Sequence, residues 1–305
     1  MMKKLLVMIL ALMLLYGGAA LAEEKISVVC TDFPCYDFAR AAAGDRAEVT
    51  MLIKPGLEAH LYDPAPADIL EIEDADLFIY IGGESDAWVE NILSSFGEGG
   101  PRALRLMDAV DELIEEEEEE AGHVHEDEGP EYDEHIWTSP KNAMAMVSAV
   151  GEALGAADPG HAADYAALAA DYARKIGDID GRIAEIVGSA ARRVLVFADR
   201  FPFVYFVREF GLDYDAAFPS CTAQTEASPQ TILRLIDRVL DEDIPAVYTI
   251  EMSAQSVAKI VAEETGAEIL TLHSMQTVTR DEFEAGETYL TLMEKNIEAL
   301  QRGLQ

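Results

Sequence analysis

An α/β protein of two lobes, each a mostly parallel sheet flanked by helices and joined by one long connecting helix, is the fold this sequence predicts. Three observations carry that expectation. In the first half, short apolar runs rich in β-branched residues alternate with helical stretches, the pattern of buried parallel strands and their crossover helices. The same alternation returns in the second half. Between the halves lies an Ala-rich segment with few turn signals, residues 158–190.

The chain opens with the marks of a secretory signal over residues 1–22: Lys3 and Lys4, an apolar stretch from Leu5 to Tyr16, then Ala20-Leu21-Ala22 before Glu23. The stretch is short for a membrane span. Cys30 lies too far downstream to be a lipid-modified first residue, so the expected product is exported and soluble, either periplasmic or extracellular. The N-terminal lobe is expected over 23–157. Its strands are Ile26 to Val29, Val49 to Ile53 and Leu77 to Ile81. One helix starts near Pro66, and another follows Ser139-Pro140, where a serine cap precedes a first-turn proline.

The connecting helix, 158–190, contains Gly177 and Gly181, each of which costs ~1 kcal/mol in a helix interior. The C-terminal lobe, 191–305, repeats the pattern with strands Val194 to Phe197, Ala246 to Ile250 and Glu268 to Leu272. Ser228-Pro229 caps a helix whose apolar face is predicted as Ile232, Leu233, Ile236, Val239 and Leu240. Thr279 and Glu282 form a capping box. One helix is predicted to follow it, buried along Phe283, Leu290, Met293, Ile297, Leu300 and Leu304. Two lobes imply a cleft, and ligands of α/β sheets bind beyond the carboxyl ends of strands.

The net charge of −36 becomes −38 if the leader, with two lysines and no acid, is removed. Such a surface repels nucleic acid and anionic lipid and attracts cations. Nucleic acid is therefore not expected as a partner. Three cysteines, Cys30, Cys35 and Cys221, permit one disulfide and leave one thiol over; the pairing stays open. Residues 111–134 form an acidic loop that includes Glu115 to Glu120 and then His123 and His125. It reads either as a solvated loop or as a weak metal-collecting antenna, with those two histidines as its ligands.

Three of the six histidines stand where strands end: His60, His135 and His273. Imidazole is the commonest protein ligand of Zn²⁺, and three histidines with an open fourth position make a tetrahedral site. The segments AHLYDPAPADI, DEHIWTSPKNA and ETGAEILTLHSM resemble the zinc and manganese solute-binding family of ABC-type importers, over nearly the whole chain after the leader. The resemblance implies two α/β lobes, one long helix and a metal site in the cleft. It places His60 and His135 as the first two ligands. In the position of the third stands Ala198, and where the family usually has an Asp after the last strand stands His273. The implied set is His60, His135 and His273. Water, Asp199 or Glu226 is open as a fourth ligand, and Glu251 is implied to sit near the cleft behind the ligands. Three imidazoles suit Zn²⁺ better than Mn²⁺, and suit Cu²⁺ and Ni²⁺ as well.

The function so implied is an extracytoplasmic metal-binding subunit that captures Zn²⁺ and delivers it to a membrane permease. It is expected to be a monomer and not an enzyme. Two alternatives stand beside it: a hydrolase with a three-histidine zinc site, for which no His-Glu-x-x-His signature is present, and a surface adhesin of the same family.

Overall fold

A computed structural model describes residues 25–116, 131–218 and 227–305. The proposed leader, His123, His125, Cys221 and Glu226 lie outside the described residues. Two four-stranded parallel sheets form the scaffold. The first contains β1 (Ile26–Cys30), β2 (Ala47–Met51), β3 (Leu77–Tyr80) and β4 (Arg102–Arg105), in the order β2-β1-β3-β4. The second contains β5 (Val194–Arg200), β6 (Asp213–Phe218), β7 (Ala246–Thr249) and β8 (Glu268–Thr271), in the order β6-β5-β7-β8. Each sheet thus has its first strand second in spatial order, and the chain reverses direction across the sheet there.

Two of the four edge strands, β4 and β6, escape the apolar-run criterion. β4 reads Arg-Ala-Leu-Arg and is mostly exposed, and β6 begins Asp-Tyr-Asp. A strand with one neighbour and one wet face needs no continuous apolar sequence.

The helices of the first lobe are α1 (Phe33–Ala43), α2 (Pro66–Glu73), α3 (Ala87–Phe96) and α4 (Pro140–Ala157). Asp32 caps α1 by accepting from the Cys35 amide, and Ser139 caps α4 by accepting from Asn142. The connecting helix α5 (Ala162–Ser189) has 28 residues. Its buried positions Tyr165, Ala169, Tyr172, Ile176, Ile179, Ile183 and Val187 recur every three or four residues, one face of a 3.6-residue helix. A Cβ at Gly181 would meet nothing within 4 Å, whereas one at Gly177 would come 3.3 Å from Met144 Sδ. A glycine that packing does require is Gly151 on α4, where an added Cβ would come 2.6 Å from that of Ala169. The two helices approach that closely.

In the second lobe α6 (Val204–Phe210), α7 (Pro229–Asp241) and α8 (Ser256–Thr265) flank the sheet. Ser228 caps α7 through the Thr231 amide as predicted. Its apolar face is rotated from the expected one, however. Leu235 and Val239 are buried, whereas Leu233 and Leu240 are exposed. The helix after the Thr279 capping box is not one helix but two. α9 (Arg280–Ala285) stops at Gly286, in the left-handed region at φ +77°, and α10 (Tyr289–Gly303) starts afresh from a Thr288 cap. Phe283 therefore belongs to a different helix from Leu290, Met293, Ile297 and Leu300. A glycine supplies the left-handed C-cap that a longer apolar stripe had masked.

Cys30 and Cys35 are both buried free thiols, so they are not bonded to each other. The root of the acidic loop is ordered by pairing. Glu116 N–H donates to Glu131 O and Asp133 N–H to Ile114 O, with Leu113 and Ile114 packed against the core. Among the described residues, no helix is long and apolar enough to cross a membrane.

The loop after β8 and the first residue of α10 supply several of the bonds between the lobes. Trp137 Nε1 donates to Ser274 O at 2.7 Å, Gly56 N–H donates to Val278 O at 2.8 Å, and Tyr289 OH donates to Trp137 O at 2.9 Å. Trp137 is fully buried in the larger core. Replacing it with Phe keeps an aromatic ring but leaves the Ser274 carbonyl buried without its donor, which costs about 1–3 kcal/mol. A lower urea-unfolding midpoint for Trp137→Phe, at unchanged slope, is the expected result.

Candidate metal centre

Among the described residues, one group of three side chains has donor atoms all within 4.8 Å of one another: His60, Glu134 and His135. All three come from the first lobe. His60 stands on a 3-10 turn, Ala59–Leu61, that follows β2. Glu134 and His135 stand where the returning limb of the acidic loop enters the turn Ile136–Thr138 before α4. The imidazole centroids of His60 and His135 are 5.7 Å apart.

The hydrogen bonds behind the rings decide which nitrogen faces forward. Glu134 accepts from the Ser85 amide at 2.9 Å with one oxygen and from the Ser85 hydroxyl at 2.5 Å with the other. That hydroxyl has a single proton and gives it to Glu134. It therefore accepts from His60 Nδ1, 2.8 Å away. The proton of neutral His60 is thereby fixed on Nδ1, and Nε2 keeps its lone pair. Nε2 of His60 is buried and makes no hydrogen bond. Asp133 does the same for the second ring: its Oδ1 lies 3.1 Å from His135 Nδ1 and also accepts the His135 amide at 2.8 Å. A carboxylate behind Nδ1, with Nε2 presented forward, is how proteins orient imidazoles toward a metal.

The electrostatics agree. Burial, then repulsion from His135 and from Arg200, pushes the His60 pKa down to about 3. A ring that resists a proton stays available as a ligand. Burial together with Asp133 raises Glu116, at the loop root, to about 7.

His273 is placed differently. It lies in the loop after β8, outside the group of three, and is almost fully buried. Its amide donates to Asn296 Oδ1 at 2.7 Å, and Asn296 Nδ2 donates back to its carbonyl at 2.9 Å. Its Nδ1 accepts the Met275 amide at 2.9 Å. In the neutral ring the proton then falls on Nε2, which lies 3.7 Å from Glu282 Oε1. Burial draws its pKa down, but Glu251 and Glu282 reverse that and leave it raised. The loop nevertheless reaches the first-lobe group, because Gln276 Nε2 donates to Glu134 Oε1 at 3.4 Å.

Glu251 grips the same loop, accepting from the Ser274 amide at 2.7 Å and its hydroxyl at 2.5 Å. Asp199 is spent within the second lobe, where it accepts the Arg200 amide at 2.9 Å and the Ile250 amide at 3.4 Å. It is not in the group of three.

Sequence reasoning missed Glu134, although it adjoins His135 in the quoted Asp-Glu-His-Ile-Trp run. An acid beside a candidate ligand was the available signal. Ser85 and Arg200 carry no signal of their own.

Comparison with known proteins bears on the whole chain. Residues 28–303 match the family described as ZnuA, the periplasmic component A of a zinc-uptake complex. The zinc-binding lipoprotein AdcA of Streptococcus pneumoniae is 29% identical over 283 residues, 92% of this chain and 56% of that protein. The chain thus spans little more than half the length of that relative. The high-affinity zinc uptake system protein ZnuA of Bacillus subtilis is 27% identical over 290 residues, 94% of this chain and 90% of that protein. The Zn(II)-bound ZnuA-like domain of S. pneumoniae AdcA superposes with a TM-score of 0.76 at 28% identity, covering 92% of this chain and 99% of that one. The metal-dependent lipoprotein YcdH of B. subtilis gives 0.79 at 26%, covering 92% and 100%. A laminin-binding adhesin of Streptococcus agalactiae gives 0.78 at 22% identity, over 92% and 100%, a likeness of fold.

The buried neutral His60 makes metal-free stability depend on pH. Its native pKa of about 3 lies below the ordinary 6.5, so the unfolded chain takes up a proton that the native state refuses. This contribution is fully present above ~6.5 and is lost as pH falls toward 3, by at most about 1.4 kcal/mol per pH unit. Denaturant unfolding of the metal-free wild type and His60→Gln should show it. The stability of the wild type relative to the variant declines as pH falls through this window.

Proposed function

The chain belongs to the ZnuA family, named for the periplasmic component A of zinc-uptake complexes, and from that premise we propose that it captures Zn²⁺ outside the cytoplasm and hands it to the membrane permease of an ABC-type importer. The observation that carries this reading is the pair of first-lobe imidazoles. Their Nδ1 atoms are held from behind by Ser85–Glu134 and by Asp133. Two imidazole nitrogens with a carboxylate beside them form a donor set suited to Zn²⁺ and softer than Mn²⁺ prefers.

In this reading His60 and His135 hold the ion through Nε2, and His273 completes the set from the second lobe. For His273 to ligate through Nε2, the proton that its Met275 bond places there must leave or move. The raised pKa of the ring makes that step cost more as pH falls. Glu251 orients the loop that bears His273. The two histidines of the acidic segment, His123 and His125, serve as a weak collecting site, and the acidic surface concentrates cations. The reaction is binding and release with no covalent chemistry, so a hydrolytic role is not part of the proposal.

Isothermal titration of metal-free protein with Zn²⁺ tests it. The wild type should bind one ion tightly. His60→Ala and His135→Ala should each weaken binding by more than about a hundredfold, since each removes a direct donor, and Asp133→Asn by roughly ten- to a hundredfold through loss of ring orientation. Unchanged affinity in His60→Ala would refute the site. His273→Ala separates its two parts: a wild-type affinity would leave a first-lobe site without His273.

A further inference from the structure

Arg200 is a basic side chain that meets the turn bearing His60 from the opposite lobe. It ends β5, where the ladder to β6 shifts register between Phe197 and Arg200. One extra residue on β5 makes a bulge, a device that re-aims a side chain next to a site. Phe201, the next residue, is buried and stacked on Tyr214 with centroids 3.9 Å apart, which anchors the backbone beside the bulge. The guanidinium crosses the lobe interface and bonds Glu58 Oε2 at 3.1 Å. Glu58 stands at the N-terminal end of the 3-10 turn carrying His60, without a side-chain cap bond.

We propose that Arg200 sets the upper limit on metal affinity at this site, as a permanent positive charge held beside the ion's position by its bond to Glu58. The proposal rests on the reading that His60 and His135 hold the ion. A guanidinium does not lose its proton in the physiological range, so the charge cannot be switched off. A divalent ion held at the turn that follows Glu58 carries two charges, and the repulsion from the guanidinium scales with them. Glu58 offsets part of that field and aims the rest. A carrier that must give up its ion gains from such a residue: binding is held below what two oriented imidazoles and a carboxylate would reach, and release to an acceptor is faster.

The test is competition titration with Zn²⁺ and a chromophoric chelator, on Arg200→Gln and Glu58→Gln in the full chain. Circular dichroism and melting should first establish that both fold. Arg200→Gln should bind Zn²⁺ at least roughly tenfold more tightly than wild type in low-salt buffer, and the gap should shrink as salt rises. Glu58→Gln, which removes one negative charge from beside the guanidinium, should bind more weakly. Opposite shifts are the signature of a charge effect. Equal weakening by both variants would make the pair a simple clasp between lobes and overturn the proposal, as would an unchanged Arg200→Gln. If the wild type itself takes up no zinc, the zinc reading fails and this proposal fails with it. If the wild type binds and only the variants disagree, the function stands and this inference alone is lost.

Discussion

Glu134 holds Ser85 with both of its oxygens, and through the Ser85 hydroxyl it holds the ring of His60. The presentation of the His60 Nε2 depends on this short chain of bonds. Imidazole binds a metal only through a nitrogen without a proton, and a solvated ring exchanges its proton between two sites. Tying Nδ1 to an acceptor removes that choice and leaves Nε2 as the donor. Asp133 imposes the same condition on His135. Burial then lowers the proton affinity of His60, so the ring waits neutral in a site lined with carboxylates that would otherwise favour the imidazolium.

The scaffold makes that arrangement possible by repetition. Each lobe is a four-stranded parallel sheet with the same strand order. Parallel strands all end on one edge, so the loops that leave them gather there. His60 follows β2 in the first sheet, and His273 follows β8 in the second. The 28-residue α5 links the lobes, and the loop after β8 ties them through Ser274, Gln276 and Val278. That loop is under local constraint, since Met275 sits in the left-handed region at φ +64° while its amide bonds the His273 ring.

The two lobes treat their histidines in opposite ways. The first lobe lowers the proton affinity of His60, and the second raises that of His273 with Glu251 and Glu282. In the proposed site the two halves therefore differ: the ring of His60 is kept from a proton, and His273 would have to give one up or rearrange a hydrogen bond to ligate. Arg200 adds a positive charge at the seam between them.

The sequence by itself determined the α/β class, the repeat of the lobes, the long linking helix, six of the eight strands and the caps at Ser139 and Ser228. These follow from local rules: apolar periodicity, β-branched content and side-chain capping act over a few residues. It also singled out His60 and His135, because each stands in a distinctive local run. Only the tertiary structure decided the rest. Edge strands β4 and β6 are made by pairing with a neighbour and carry no apolar run of their own. Gly286 broke one predicted helix into two because a left-handed cap overrode the stripe. Glu134 and Ser85 are 49 residues apart in the chain, and Arg200 is 142 from Glu58. Which nitrogen of each imidazole bears the proton is set by such distant partners, and no local pattern encodes them.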